Sequence, residues 1–302
     1  MHRKPNFFIV GAAKCGTTSL YHHLKSHPDI YLCETYKEPY FFSSKYVKLP
    51  HKGKGDEVND KRRKNYTTLD DYLKLFKGAT NEKIIGEATT DYLYFYQAAK
   101  DIKNMNPHAK ILISLRNPVE RAYSAYYHQV NKKLETLSFK QALVQEENRI
   151  KDNYSYIWRY KQVGLYYKQV KYYLDVFGKE NVKIILFDDI KNDIKSVIQD
   201  ILQFLEVDTN LKIRTSEKHR ATGVYRFKKF NDLLFKQSFI RRILQMVLTQ
   251  KARNRLLLKL INLNLKKPEM DPSTRKYLVD YFREDIHKTE KLINRNLEHW
   301  LK

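Results

Sequence analysis

Short apolar runs alternate with segments of helical periodicity along the first two thirds of the chain. Phe7–Val10 is a run of four apolar residues that Gly11 ends, and it predicts a buried strand. A helix is predicted from Thr17, because Leu20 and Leu24 then lie on one face. The chain therefore opens with a strand, a glycine-containing loop and a helix.

The same order recurs further along the chain. Ile111–Leu115 predicts a second strand, and Pro118–Val130 predicts the helix that follows it, with proline in a favourable first turn. Val182–Phe187 predicts a third strand, preceded by a long aromatic-rich helix over residues 160–177, and Ile84-Ile85 predicts a shorter strand. Strands that alternate with helices are typical of an α/β fold, in which helices cover both faces of a mainly parallel sheet.

The rest of the chain adds helices and one polar segment. From about Ile190 onward the pattern is mostly helical, with a break at Pro268 and Pro272. The 302 residues are 42% hydrophobic and contain no long linker, so we expect a single domain over residues 1–302. The polar, basic segment Lys48–Lys64 predicts a mobile surface loop.

A formal net charge of +23 favours an anionic partner such as a nucleic acid, an acidic lipid, or a phosphorylated or sulfated molecule. Without a recognisable nucleic-acid-binding module we expect no nucleic-acid partner, and a basic nucleic-acid-binding protein is the less favoured alternative. Two cysteines are too few for a disulfide framework. No apolar run reaches the roughly 18 residues of a membrane span, and Phe7–Ala13 makes a poor signal peptide. We therefore expect a cytoplasmic protein without a membrane span.

The loop from Gly11 to Ser19 carries the first candidate chemistry. Its small residues allow the backbone to approach a ligand, the helix start directs N–H groups at an anion, and Lys14 and three hydroxyls add donors. An ordinary strand-to-helix turn capped by a threonine is the alternative. The lysine precedes Gly16 by two positions, unlike the Gly-Lys order of nucleoside triphosphatase loops, and Leu115-Arg116 provides no acid for magnesium. These departures favour a metal-free donor that bears a 5′-phosphosulfate.

A second anion site is predicted at the end of the strand Ile111–Leu115. Arg116 follows a predicted strand directly, and Ser124 lies eight residues later on the adjacent helix. A guanidinium at a strand end and a hydroxyl on the next helix can converge on one phosphate. Together with the Lys14 loop, the pair indicates a ligand with two separated anionic ends.

Both motifs resemble those of sulfotransferases that use 3′-phosphoadenosine-5′-phosphosulfate (PAPS). Lys14-Cys15-Gly16-Thr17-Thr18 resembles their 5′-phosphosulfate loop, and the segment from Arg116 to Ser124 resembles their 3′-phosphate motif. The variant is similar to the carbohydrate branch, which comprises the heparan sulfate sulfotransferases and bacterial relatives. Further similar segments lie at residues 27–30, 37–42, 86–87, 164–166, 187–189 and 268–300. The resemblance therefore covers nearly the whole chain.

The resemblance implies a fold and a reaction. The fold would be a P-loop-like, three-layer α/β fold with a central, mainly parallel sheet and a helix-rich C-terminal part. The reaction would transfer a sulfuryl group from PAPS to a hydroxyl or amino group of a carbohydrate and release 3′,5′-bisphosphoadenosine (PAP), with no metal required. A lipid or small-molecule hydroxyl is the alternative acceptor.

The resemblance also implies roles for particular residues. Lys14 would contact the bridging oxygen and stabilise the departing phosphate, and Arg116 and Ser124 would bind the 3′-phosphate. A later basic loop, with Arg220 and Arg226, would close over the donor, although it departs from the Lys-Gly pattern of animal enzymes. The donor-binding set is completed by the other loop residues: Ala13, Cys15, Gly16, Thr17 and Thr18.

The base that accepts the acceptor's proton is implied in the same way. Glu38 occupies the Glu-x-x-Phe-Phe position of the catalytic glutamate in heparan sulfate enzymes. Glu87, at the end of a short predicted strand, is the rival.

Overall fold

A parallel five-stranded sheet forms the centre of the molecule. The computed structural model describes residues 3–33, 37–210, 224–225, 265–266 and 268–302. The strands are β1 (Phe7–Gly11), β2 (Ile30–Leu32), β3 (Ile84–Ala88), β4 (Lys110–Leu115) and β5 (Val182–Leu186), in the spatial order β2-β3-β1-β4-β5. All four neighbouring pairs are parallel. Two short strands, β6 (Val224–Tyr225) and β7 (Leu265–Lys266), form a separate antiparallel pair.

Helices cover both faces of the sheet. The described helices are α1 (Thr17–Leu24), α2 (Phe41–Ser44), α3 (Glu57–Lys64), α4 (Leu69–Leu73), α5 (Ala98–Met105), α6 (Pro118–Asn131), α7 (Phe139–Val144), α8 (Glu146–Lys151), α9 (Tyr166–Phe177), α10 (Phe187–Asn192), α11 (Ile194–Phe204) and α12 (Pro272–Ile293). Successive β1 residues point to opposite faces: Phe7 belongs to the hydrophobic cluster that includes α1 and α11, whereas Phe8 belongs to the cluster that includes α5, α6, α9 and α12. Every β1 residue is buried for this reason. The three-layer α/β prediction is confirmed.

The long aromatic-rich helix begins later than the sequence pattern indicated. It starts at Tyr166, and two short 3-10 turns occupy residues 156–158 and 162–164. The buried carboxylate of Glu146 accepts hydrogen bonds from the backbone N–H groups of Lys161 (2.7 Å) and Gln162 (3.0 Å). These bonds hold the chain in tight turns, so the prediction of a continuous helix from residue 160 was wrong.

The prediction that Lys48–Lys64 is a mobile surface loop was also wrong. The segment ends in α3, and Asp56, Asp60 and Arg63 are each at most 4% exposed. Asp56 accepts a hydrogen bond of 2.5 Å from the Ser155 hydroxyl, Asp60 accepts one of 2.7 Å from the His51 N–H, and Arg63 forms an ion pair with Asp91. Buried polar groups need such partners, and these contacts fasten the segment to the rest of the fold.

The sequence predicts that the chain has no membrane span. Within the described ranges, no helix combines the length and the apolar character that crossing a membrane needs.

Candidate active site

The loop between β1 and α1 takes an unusual backbone path. Lys14 (φ 74°) and Gly16 (φ 86°) both lie in the left-handed region, which non-glycine residues seldom adopt. A Cβ atom on Gly16 would approach the Phe187 ring to 3.0 Å, so this position needs glycine. Gly16 caps α1 without a side-chain hydrogen bond. The capped-turn alternative, in which a threonine caps the helix, therefore does not apply, and the helix start faces a ligand site.

Strand β4 fixes the position of this loop. The Ser114 hydroxyl donates a hydrogen bond of 2.5 Å to the carbonyl oxygen of Cys15, and the N–H of Ala12 donates one of 2.7 Å to the carbonyl oxygen of Ser114. The Cys15 side chain is fully buried, with its sulfur 3.8 Å from the Tyr166 hydroxyl. The Cys15 N–H in turn donates to the carbonyl oxygen of Ala12 (3.2 Å), and Cys15 is absent from the cavity lining described below, so its role in donor binding stays a prediction.

A cavity of about 860 Å³ opens at the carboxyl ends of the strands. Ligands of open α/β sheets bind at this edge. The cavity brings together most of the residues predicted from the two motifs and from the Glu-x-x-Phe-Phe position: Ala13, Lys14, Gly16, Thr17, Thr18, Glu38 and Arg116. Its described lining holds seven Lys or Arg side chains and one carboxylate, that of Glu38; the seven are Lys14, Lys37, Arg62, Arg116, Arg121, Lys132 and Lys191. Such a cavity suits a ligand with several negative charges.

The pKa of the Lys14 ammonium is lowered by its surroundings in the cavity. Burial lowers the pKa of its ammonium to about 8, and the charges of Arg116, Lys132 and Lys37 add to the effect. Its Nζ lies 3.5 Å from Nδ1 of His128. Burial, together with Lys14 and Lys132, lowers the pKa of His128 to about 3. The imidazole is therefore neutral near pH 7 and can accept a hydrogen bond from the Lys14 ammonium.

Arg116 lies beside the Lys14 loop, as the two motifs implied. Its Nη1 donates a hydrogen bond of 3.3 Å to the carbonyl oxygen of Lys14, and its guanidinium carbon lies 4.8 Å from the centre of the Phe187 ring. Glu120 balances part of its charge at 3.6 Å. Ser124 is buried on α6 and is absent from the cavity lining, so its phosphate role stays a prediction.

The two candidate bases occupy different environments. Glu38 lines the cavity in a left-handed backbone conformation (φ 68°). Its carboxylate accepts hydrogen bonds from the Thr90 N–H (2.8 Å) and hydroxyl (3.1 Å) and from the Lys37 ammonium (3.0 Å). Glu38 is therefore a positioned carboxylate beside the Lys14 loop.

Glu87 is a core residue at the end of β3. It is 1% exposed, does not line the cavity, and accepts hydrogen bonds from the hydroxyls of Tyr72 (2.6 Å), Thr89 (2.6 Å) and Tyr92 (3.1 Å). Burial raises the pKa of its carboxyl to about 7. The geometry therefore favours Glu38 over Glu87 as the group that meets an acceptor. Arg220 and Arg226 lie outside the described residues.

Comparison with known proteins decides the family. The sequence profile of the sulfotransferase domain matches residues 4–290. The chain belongs to the sulfotransferase family. The family predicted from the Lys14 and Arg116 motifs is thereby confirmed.

Several known sulfotransferases are similar to this one. A sulfotransferase from Alicyclobacillus acidocaldarius, known from a crystal structure, is 38% identical, and the alignment covers 99% of this chain and 100% of that chain with a TM-score of 0.79. Rat carbohydrate sulfotransferase 15 is 30% identical over 253 residues, which are 67% of this chain and 44% of the rat protein. Mouse heparan sulfate glucosamine 3-O-sulfotransferase 3B1 is 26% identical over 215 residues, which are 71% of this chain and 48% of the mouse protein. The chain spans less than half the length of these two curated relatives.

Sequence reasoning missed one wall of the sulfotransferase cavity. Arg121, Ala125 and His128 line it from α6, and Lys132 lines it from the C-terminal cap of that helix. Their spacing of three or four residues places them on one helix face. This signal was present in the sequence, because the predicted helix begins inside the Arg116 motif. Tyr156, which lines the cavity from a 3-10 turn, had no comparable signal.

Proposed function

We propose that this sulfotransferase moves a sulfuryl group from PAPS to a hydroxyl or amino group of a carbohydrate and releases PAP. One observation carries the proposal: the Lys14 loop, Arg116 and the Glu38 carboxylate line a single, strongly cationic cavity. Anion-binding donors and a proton acceptor are the groups that sulfuryl transfer to a hydroxyl requires.

The donor site fits a ligand with two anionic ends. The loop from Gly11 to Ser19 supports the 5′-phosphosulfate assignment. It places the Lys14 ammonium in the same short segment as the start of α1, where no side chain caps the helix. Arg116 supports the 3′-phosphate assignment, because its guanidinium is held beside that loop through the Lys14 carbonyl. A volume of about 860 Å³ is within the usual range for a small-molecule site.

The proposed reaction forms a bond between sulfur and the acceptor oxygen and breaks the bond between sulfur and the bridging oxygen of the phosphosulfate. Lys14 supplies positive charge for the oxygen that departs with the electron pair. Glu38 accepts the proton that leaves the acceptor hydroxyl. The hydrogen bonds from Thr90 hold the Glu38 carboxylate in place, so it need not reorganise as the proton arrives.

A carbohydrate acceptor is supported by the names of the relatives and by the charge of the cavity. Arg62 and Lys132 line the cavity in addition to the two donor motifs. Cations beyond those assigned to the donor suit a sugar chain that carries carboxylates or sulfates. A lipid or small-molecule hydroxyl is the second candidate acceptor, and cytoplasmic location stays a prediction that cell fractionation tests.

The test is transfer of labelled sulfate from PAPS to a panel of acidic and neutral polysaccharides, with a lipid alcohol and a phenol alongside. We expect labelling of an acidic polysaccharide by the wild type and by Lys171→Ala, which removes an exposed lysine paired with Asp175. Lys14→Ala is expected to abolish labelling. If only the lipid alcohol or the phenol is labelled, the carbohydrate assignment is wrong.

A further inference from the structure

A buried arginine lies behind the Glu38 carboxylate. The Arg63 side chain on α3 is 2% exposed and forms an ion pair with Asp91, which is fully buried. Its Nη1 donates a hydrogen bond of 2.9 Å to the Ser43 hydroxyl, and its guanidinium carbon lies 4.4 Å from the centre of the Tyr40 ring. One guanidinium therefore contacts three side chains from two separate segments.

These two segments are the ones that form the base site. Tyr40 and Ser43 lie two and five positions after Glu38 in the chain. The Ser43 hydroxyl also lies 3.0 Å from both carboxylate oxygens of Asp91. Asp91 follows Thr90, whose N–H and hydroxyl bind the Glu38 carboxylate. Arg63 thus holds together the segment that carries the proposed base and the segment that carries its hydrogen-bond donors.

The backbone of the Glu38 segment needs contacts that keep it in place. Glu38 (φ 68°) and Tyr40 (φ 63°) both adopt left-handed backbone conformations without being glycine. Such residues keep an unfavourable conformation only when surrounding contacts determine it. A buried ion pair often stabilises a core less than apolar side chains of the same volume would. We therefore expect the Arg63–Asp91 pair to matter more for the position of the Glu38 segment than for the free energy of unfolding.

We propose that Arg63 is a positioning residue for Glu38, acting through Asp91 and Ser43. The proposal rests on the proposed function, in which Glu38 accepts the acceptor's proton. Arg63 itself does not line the cavity; it fixes the distance and angle at which the Glu38 carboxylate meets the acceptor hydroxyl.

The first experiment compares Arg63→Met with Asp60→Asn in the full chain. Asp60 lies on the same helix, and its buried carboxylate is hydrogen-bonded to the His51 N–H (2.7 Å) and lies 2.5 Å from Nδ1 of His51, so its loss loosens α3 without touching Asp91. We expect Arg63→Met to lower kcat roughly 10- to 100-fold, while the KM for PAPS and the Kd for PAP change less than about twofold. Asp60→Asn is expected to keep kcat within about twofold of the wild type at a reduced Tm. Wild-type kcat in Arg63→Met overturns the proposal.

The second experiment separates positioning from general support of the fold. If Arg63 acts through Glu38, adding Arg63→Met to Glu38→Gln lowers kcat no further. A further loss equal to that of the single variant overturns the proposal. If Arg63→Met does not fold, Ser43→Ala takes its place, because it keeps the Arg63–Asp91 ion pair and removes only the hydrogen bonds of the Ser43 hydroxyl. We expect Ser43→Ala to lower kcat less than Arg63→Met, and to lower it no further in the Glu38→Gln background. If Glu38→Gln itself stays active, the assignment of the base is wrong instead, and with it the proposed mechanism.

Discussion

The Nζ of Lys14 lies 3.5 Å from Nδ1 of His128, and the pKa of each group is lowered. With a pKa of about 8 for Lys14 and about 3 for His128, the lysine carries the proton that this pair shares near pH 7. Burial is the main cause of the lowered pKa of Lys14, and the surrounding cations that add to it are the charges that an anionic donor would neutralise. Donor binding is therefore coupled to the protonation of Lys14.

This coupling predicts a pH dependence of PAP affinity. The bound anion favours the charged lysine, so binding takes up a proton once the pH exceeds about 8, and affinity falls by up to about tenfold per pH unit above that value. Calorimetry in two buffers of different ionisation enthalpy measures the uptake. Lys14→Arg is the control, because a guanidinium stays protonated and takes up nothing in this range. Equal heats in both buffers for wild type and Lys14→Arg would contradict the coupling.

The environments of the two acids predict opposite results for their amide variants. Glu38→Gln removes the carboxylate that lines the cavity, so we expect a loss of transfer of roughly 100-fold or more with PAP affinity retained. Glu87→Gln changes a group that the cavity does not reach, so we expect transfer within about threefold of the wild type when the variant is folded. Steady-state kinetics with a labelled acceptor checks both, and inactivity of Glu87→Gln alone would reverse the assignment.

We expect the ionisation of Glu87 to change how the free energy of unfolding depends on pH. Its pKa rises on folding, from 4.5 to about 7, so the stability it contributes is present below about pH 4.5 and lost as pH rises through about 7. Over that window the free energy of unfolding of the wild type should fall by about 3 kcal/mol relative to Glu87→Gln. Urea unfolding at several pH values measures the difference, and parallel curves for the two proteins would refute the expectation.

Metal removal is expected to leave activity unchanged. Lys14 and Arg116 supply positive charge beside the loop, which is the task magnesium performs in nucleoside triphosphatases. Transfer in excess EDTA should therefore stay within about twofold of that in buffer alone. Loss of transfer that added Mg²⁺ restores would show that a metal is required.

The parts of the site that the sequence predicts are local in the chain. The Lys14 loop is framed by a strand and a helix whose periodicity is visible over 18 residues, and Arg116 directly follows such a strand. Parallel pairing of β1 with β4 then places both motifs at one edge of the sheet. Alternation of strands and helices was enough to predict a parallel sheet, whereas the pairing of β1 with β4 comes from the structure.

The parts that the sequence does not predict depend on contacts between distant residues. Arg63 looks like one more cation in a basic segment until Asp91, 28 positions later, is found beside it. Glu146 interrupts a helix pattern 15 residues away by binding the N–H of Lys161. Neither contact produces a periodic pattern in the sequence, because both depend on tertiary packing.

The central claim is that the cavity binds a nucleotide with a 3′-phosphate as well as a 5′-anion. Calorimetry with PAP and with 5′-AMP, on the wild type and on Arg116→Ala, tests it most directly. We expect the wild type to bind PAP at least about 100-fold more tightly than 5′-AMP, and Arg116→Ala to lose most of that difference because it loses the guanidinium fork. Equal affinity of the wild type for the two nucleotides, or unchanged selectivity in Arg116→Ala, would contradict the donor assignment.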